Sequence, residues 1–310
     1  MGVNSGILLV DKPQGITSHD VVARMRRLAG TRKIGHAGTL DPMATGLLVL
    51  GVGSATRLLH YLVGLDKEYF ATIRLGWGTT SDDAEGEPLP HTPETTAAAL
   101  AQTEASLREA MLAFTGEIDQ VPSAVSAVKI DGKRAYQRVR DGETVEIAPR
   151  RVTISAYELL AVRRLEHDGC LELDVRVECS SGTYIRALAR DLGTALGTAG
   201  HLTALRRSRI GRFGVDEAGE LEGYDVAAEA MSATAAARRA LPVVEITEEE
   251  AVDLGHGKRV AVNGDGAVAS AERRGEPFAA VAPGERLVAI VERRADNWKV
   301  VTGFPQEGSA

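Results

Sequence analysis

Gly35-His36-Ala37-Gly38-Thr39-Leu40-Asp41-Pro42-Met43-Ala44-Thr45-Gly46-Leu47-Leu48-Val49-Leu50-Gly51 places one acid, Asp41, among Gly35, Gly38, Pro42 and Gly46, ahead of an apolar run. Glycine supplies backbone conformations that other residues avoid. Proline lacks an amide hydrogen and fixes φ, so the segment predicts a shaped loop running into a strand. A shaped loop presenting a single carboxylate suits a nucleophile mount. The same pattern suits an aspartate that caps the turn before a proline.

On the N-terminal side, Gly6–Val10 predicts a short buried strand, ended by the turn Asp11-Lys12-Pro13-Gln14-Gly15. A helix follows, capped by Thr17 or Ser18 and stopped at Gly30, with Arg24, Arg26, Arg27, Arg32 and Lys33 around its end. On the C-terminal side the pattern predicts a helix over 55–62, a strand over 67–75 carrying Tyr69 and Phe70, and a long polar loop over 76–93. A helix over 95–114 and a strand over 121–130 come next. Asp131 to Arg150 carries five Lys or Arg against four acids and is rich in turn residues, which predicts an exposed arm. Residues 152–162 and 170–179 predict a hairpin, followed by Ser180-Ser181-Gly182-Thr183 and a helix from Tyr184. Residues 215–240, acidic and Ala-rich, predict a surface helix and linker. Beyond Leu241-Pro242 the composition shifts to short β-like pieces over 259–262, 287–292 and 298–302 and a short helix over 248–254, a small β-rich domain.

The chain has 310 residues, enough for one large and one small domain. Its net charge of −7 argues against a nucleic-acid partner only on average. Residues 1–75 carry nine Lys or Arg against five acids, and residues 181–214 carry six Arg against Asp191 alone. The positive charge therefore gathers in the segments that hold the candidate loop and the 184 helix, where an anionic ligand could bind; basic residues on solvated helix faces give the same count. Arg186, in the first turn of that helix, suits a carboxylate or phosphate partner, or simply lies over the helix surface. Two cysteines, Cys170 and Cys179, make neither a disulfide framework nor a metal-site spacing, and the seven histidines are scattered. No basic leader and no long apolar run is present, so the expectation is a cytoplasmic chain that is neither exported nor membrane-embedded. Chemistry would have to run on carboxylate, Tyr, Arg and His side chains.

Five motifs stand in one order: Asp11-Lys12-Pro13-Gln14-Gly15-Ile16-Thr17-Ser18, the 35–46 loop, Lys67-Glu68-Tyr69, Cys179-Ser180-Ser181-Gly182-Thr183-Tyr184-Ile185-Arg186-Ala187-Leu188, and His201-Leu202-Thr203-Ala204-Leu205-Arg206-Arg207. In these the chain resembles the bacterial TruB family of tRNA pseudouridine synthases, which act on uridine 55 of the T loop. The resemblance spans residues 6–214. It implies an α+β pseudouridine synthase fold, a mixed, largely antiparallel sheet with flanking helices, over residues 1–240, with an RNA-binding arm at about 129–151. More loosely, it implies a small β-rich PUA-like domain over 241–310.

The resemblance also implies roles. Asp41 corresponds to the catalytic nucleophile, Tyr69 to a tyrosine that stacks on the target base and is placed for proton transfer, and Arg186 to the arginine that holds the nucleophile ionised and aimed. His36, Tyr184, Leu205 and Lys12 correspond to substrate-contacting positions. The basic helix end, the arm and Arg206-Arg207 would contact phosphates, and the target uridine would be flipped out of its loop. Ser181 departs from the lysine common in relatives. The resemblance implies no metal or organic cofactor, and the partner implied is tRNA, through its T stem-loop and acceptor arm, with no obligatory protein partner and a monomeric enzyme. Two rival readings are a tRNA-folding chaperone with incidental catalysis and a guide-RNA-dependent synthase subunit. A chaperone needs no poised carboxylate, and the guide-dependent class carries a longer N-terminal lead and a Lys-rich tail.

Overall fold

The computed structural model describes residues 5–123, 147–262 and 275–305, with the backbone of 129–130 and 133–134. Most of the arm expected over 129–151 lies outside the described residues. The chain forms two compact units, one of Met1–Leu40, Leu47–Leu65 and Gly211–Ala310, the other of Asp41–Gly46 and Asp66–Ile210.

The second unit is built on antiparallel strands in the order Gly200–Ile210, Lys67–Leu75, Cys170–Cys179, Arg150–Leu165 and Gly116–Gln120. Thr45 and Gly46 pair in parallel with Arg206 and Arg207. Along Lys67–Leu75 burial alternates, so Lys67, Tyr69, Ala71, Ile73 and Leu75 share the inner face. The opposite face carries charge ladders such as Arg176–Glu68 at 2.8 Å, Arg176–Glu158 at 3.0 Å and Arg74–Glu172 at 2.6 Å. Helices Pro93–Leu100, Glu104–Leu112 and Ile185–Ala195 pack on this sheet.

Three expectations change here. The single helix expected over 95–114 is two helices, because Thr103 caps a new one by accepting from the Ser106 amide. The strand expected over 121–130 sits earlier, at Gly116–Gln120: Pro122 has no amide to extend it, and Lys129–Ile130 is a separate short strand. The basic stretch 200–213, given no strand from its pattern, contains the eleven-residue strand Gly200–Ile210.

In the first unit, strand Gly6–Lys12 lies between Thr45–Val52 and Gly219–Glu220, and Ile34–His36 pairs with Thr45–Val52. Helix Ser18–Leu28 has Thr17 as N-cap in a reciprocal pair with Asp20. Its inner face joins Leu8, Val10, Leu48, Leu50 and Val52 in one core. That core also takes in Leu221, Tyr224 and Val226, and the Tyr224 hydroxyl donates to the Leu9 carbonyl at 3.0 Å. Residues 215–240 are therefore no surface linker. Helix Ala233–Ala240 buries Ala236 and Ala237 completely, the small side chains permitting close approach.

Strands Val243–Glu245, Pro277–Ala282, Arg286–Arg294, Asn297–Gly303 and Val260–Ala261 form a separate five-stranded sheet in that order, beside helix Glu248–Gly255. Its core is its own, centred on Phe278 and Trp298 with ring centroids 5.1 Å apart. The three β-pieces expected there are present, with Val243–Glu245 and Pro277–Ala282 added. Among the described residues no helix is long and apolar enough to cross a membrane.

Candidate active site

Asp41 opens the short segment that the second unit takes from the glycine-rich loop. The loop leaves along Thr45 and Gly46, and Gly46 has φ +99°, a conformation that L side chains rarely adopt. Arg186 meets Asp41 from the first turn of helix Ile185–Ala195, with Nε 3.1 Å from Asp41 Oδ2. The helix start is pinned by Gln120, a buried residue whose Oε1 accepts from the Tyr184 amide at 2.8 Å and whose Nε2 donates to the Tyr184 carbonyl at 3.0 Å. One donor orphaned at the helix N-terminus is thereby satisfied, although Tyr184 has no capping side chain.

The same guanidinium has a second acid. Arg186 Nη1 lies 3.2 Å from Asp83 Oδ2 and donates to the Ser81 carbonyl at 3.0 Å. The Arg186 and Asp83 side chains are 6% and 3% exposed, whereas that of Asp41 is 36% exposed. Asp83 is held in turn by the Ser81 hydroxyl and by the Glu85 amide at 3.1 Å. Breaking a buried pair by removing one partner costs about 3–5 kcal/mol, so the Asp83 side fixes the arginine and leaves its Nε edge facing Asp41. Sequence reasoning missed Asp83 because it lies in a stretch patterned as surface loop. That loop is anchored by the Leu202 amide donating to the Asp82 carbonyl at 3.0 Å. His201 anchors it too: its Nδ1, 2.8 Å from the Trp77 carbonyl, must be the donor there, and burial lowers its pKa.

Tyr69 is buried on the neighbouring strand, hydrogen-bonded to Arg207 and within the electrostatic reach of Asp41. Burial raises its pKa, with Arg207 pulling the other way. Tyr184, half-buried, also interacts electrostatically with Asp41 and Arg186, and burial raises its pKa. Leu205 is buried two residues before Arg207, on the same face of Gly200–Ile210. The second unit thus brings together Asp41, Tyr69, Tyr184 and Arg186, with Leu205 on the adjoining strand. His36 and Lys12 belong to the first unit. Lys12 is fully buried, its Nζ donating to the carbonyls of Pro13 at 2.9 Å and Ile16 at 2.8 Å, and the His36 ring meets His19 edge-on at 5.6 Å.

Two cations were misread or unread in the sequence. Arg207, expected on phosphate, is 1% exposed. Lys67, two residues before Tyr69, is buried, and burial with Arg207 nearby brings its pKa down to about 8. Arg190 pairs with Asp82 at 3.2 Å and Asp191 at 2.9 Å, and Arg209 with Glu178 at 3.5 Å, so much of the 181–214 charge is matched internally. Among the described residues no three His, Cys, Asp or Glu side chains could hold a metal ion.

The N-terminal domain model of the TruB family pseudouridylate synthases matches residues 26–185. The chain belongs to the TruB family of pseudouridylate synthases. Two further models of the family, the tRNA pseudouridylate synthase B C-terminal domain and the tRNA pseudouridine synthase II C terminal, match residues 186–244 and 241–305. Relatives named tRNA pseudouridine synthase B include one from Leifsonia xyli, 56% identical and covering 98% of both chains. Another, from Arthrobacter, is 55% identical over 97% of this chain and 96% of its own. Among solved structures, a chain of a Cbf5-Nop10-Gar1 complex aligns at TM-score 0.71 and 26% identity, over 96% of this chain and 84% of that one. The family membership and this likeness identify the α+β architecture as the pseudouridine synthase fold.

Proposed function

We propose that this protein is a tRNA pseudouridine synthase that isomerises uridine 55 of the T loop, with Asp41 as nucleophile. The observation that carries the reading is the guanidinium of Arg186, held by buried Asp83 on one edge and offering Nε at 3.1 Å to the half-exposed Asp41. Relatives more than half identical over nearly their whole length bear the name tRNA pseudouridine synthase B, which supports the tRNA-modifying part of the reading. A chaperone would need a basic surface and no such arrangement.

In this reading the flipped uridine enters over Asp41. The carboxylate adds covalently and later leaves; the bond from C1′ to N1 breaks, one from C1′ to C5 forms, N1 gains a proton and C5 loses one. Substrate and product are isomers, so the atoms and electrons balance without a redox partner. Arg186 keeps Asp41 ionised and aimed, Tyr69 stacks on the base and serves the proton transfer, and Tyr184 and Leu205 wall the uracil. His36 contacts the displaced nucleotide, and Lys12 supports the substrate surface through the Pro13–Ile16 turn it holds. Residues 241–310, with their own sheet and core, act as a PUA-like domain on the acceptor arm. The protein works as a cytoplasmic monomer without a guide RNA or protein partner. Pseudouridine mapping of tRNA from cells lacking the protein tests this: position 55 should lose its modification while other sites keep theirs, and retention at 55 contradicts the reading.

A further inference from the structure

Arg207 is among the largest fully buried side chains of the described residues. It lies directly across from Tyr69 in the antiparallel register, and its guanidinium hydrogen-bonds the phenol. Its backbone runs beside Gly46, so close that a Cβ there would sit 2.2 Å from the Arg207 carbonyl oxygen and 2.9 Å from its amide nitrogen. One residue therefore touches the strand that carries the phenol and the exit of the loop that carries Asp41.

We propose that Arg207 is a positioning residue of the reaction, fixing the direction of the Tyr69 hydroxyl and its placement relative to Asp41. The inference rests on the reading of Asp41 and Tyr69 as reacting groups. A guanidinium has donors only, so its bond to the phenol occupies an oxygen lone pair and turns the O–H away from Arg207. The ionisable groups acting on the phenol are Arg207 on one neighbouring strand, Cys179 on the other, and Asp41 in the loop. Lys67, on the same face of the Tyr69 strand, feels Arg207, Cys179 and Asp66. Burial keeps the phenol protonated, and the arginine opposes that push, so the hydroxyl is held as a directed donor whose proton remains transferable.

The test is single-turnover pseudouridine formation on a T-loop transcript by Tyr69→Phe, Arg207→Met, Arg207→Lys and the two double variants, with tRNA binding and thermal melting of each. Misplacing a reacting group costs on the order of 100-fold, so Arg207→Met should lose about that much in rate while its Kd for tRNA stays within about twofold. Arg207→Lys, which keeps the charge, should recover part of the rate. Arg207 pulls the Tyr69 pKa down, so Arg207→Met should shift the alkaline limb of the pH–rate profile upward. In the Tyr69→Phe background the Arg207 substitutions should cost little more; should Arg207→Met fail to fold, the Arg207→Lys pair carries the same comparison. An undiminished loss in that background, or a loss carried wholly by Kd, overturns the proposal. Wild-type turnover by Tyr69→Phe alone overturns the site reading and the proposal with it.

Discussion

Arg186 serves two carboxylates of unlike exposure, and that asymmetry organises the site. The buried Asp83 edge is too costly to leave unpaired, so it acts as the fixed end, and Asp41 is the end a substrate can approach. Lys67 shows a second residue under strain from burial, its pKa brought from 10.5 to about 8. The folded value lies below the unfolded one, so between those limits the unfolded chain binds more protons and stability rises with pH. Burying the charge costs on the order of 3 kcal/mol below that window. Cys179, pushed by burial up to about 11, works the opposite way above its ordinary value of 9.0, so the comparison is best made between variants. Lys67→Met should be more stable than wild type in urea titrations below pH 8, and the gap should close towards pH 10.5. A gap that is constant with pH would show that Lys67 is not buried in its charged form.

At the scale of elements, the site hangs on the pairing of the Asp41 loop with strand Gly200–Ile210. Gly46 makes that pairing possible: it combines φ +99° with an approach to Arg207 that leaves no room for a side chain. Gly46→Ala should therefore destabilise the protein by more than about 1 kcal/mol and depress turnover by displacing Asp41, both visible in melting and single-turnover assays. Unchanged melting would mean the loop exit is free to move. The motifs made the loop, the Lys67–Leu75 strand, the Arg150–Leu165 and Cys170–Cys179 hairpin and the helix carrying Arg186 legible, because each has a strong local pattern. Asp83 was illegible since its partner lies far along the chain and its own surroundings are turn residues. Arg207 was misread because adjacent arginines pattern as solvated charge, and only strand pairing turns alternate residues to opposite faces. The Thr103 cap was hidden in a run of good helix formers, where one side-chain hydrogen bond outweighs propensity.

For the whole molecule, a chain of net charge −7 is asked to hold tRNA. Several site arginines are already matched by acids, so binding should rest on the remaining cations of the basic segments. Log Kd for tRNA should then rise linearly with log salt as counterions are released, read by filter binding over a salt series. A flat profile would contradict phosphate docking. In the proposed reading that surface delivers the nucleotide and Asp41 is the nucleophile. The most direct measurement is single-turnover tritium release from a T-loop transcript labelled at uridine C5, comparing wild type with Asp41→Asn. The account predicts no measurable release by the variant with tRNA affinity nearly intact; release near the wild-type rate would contradict it.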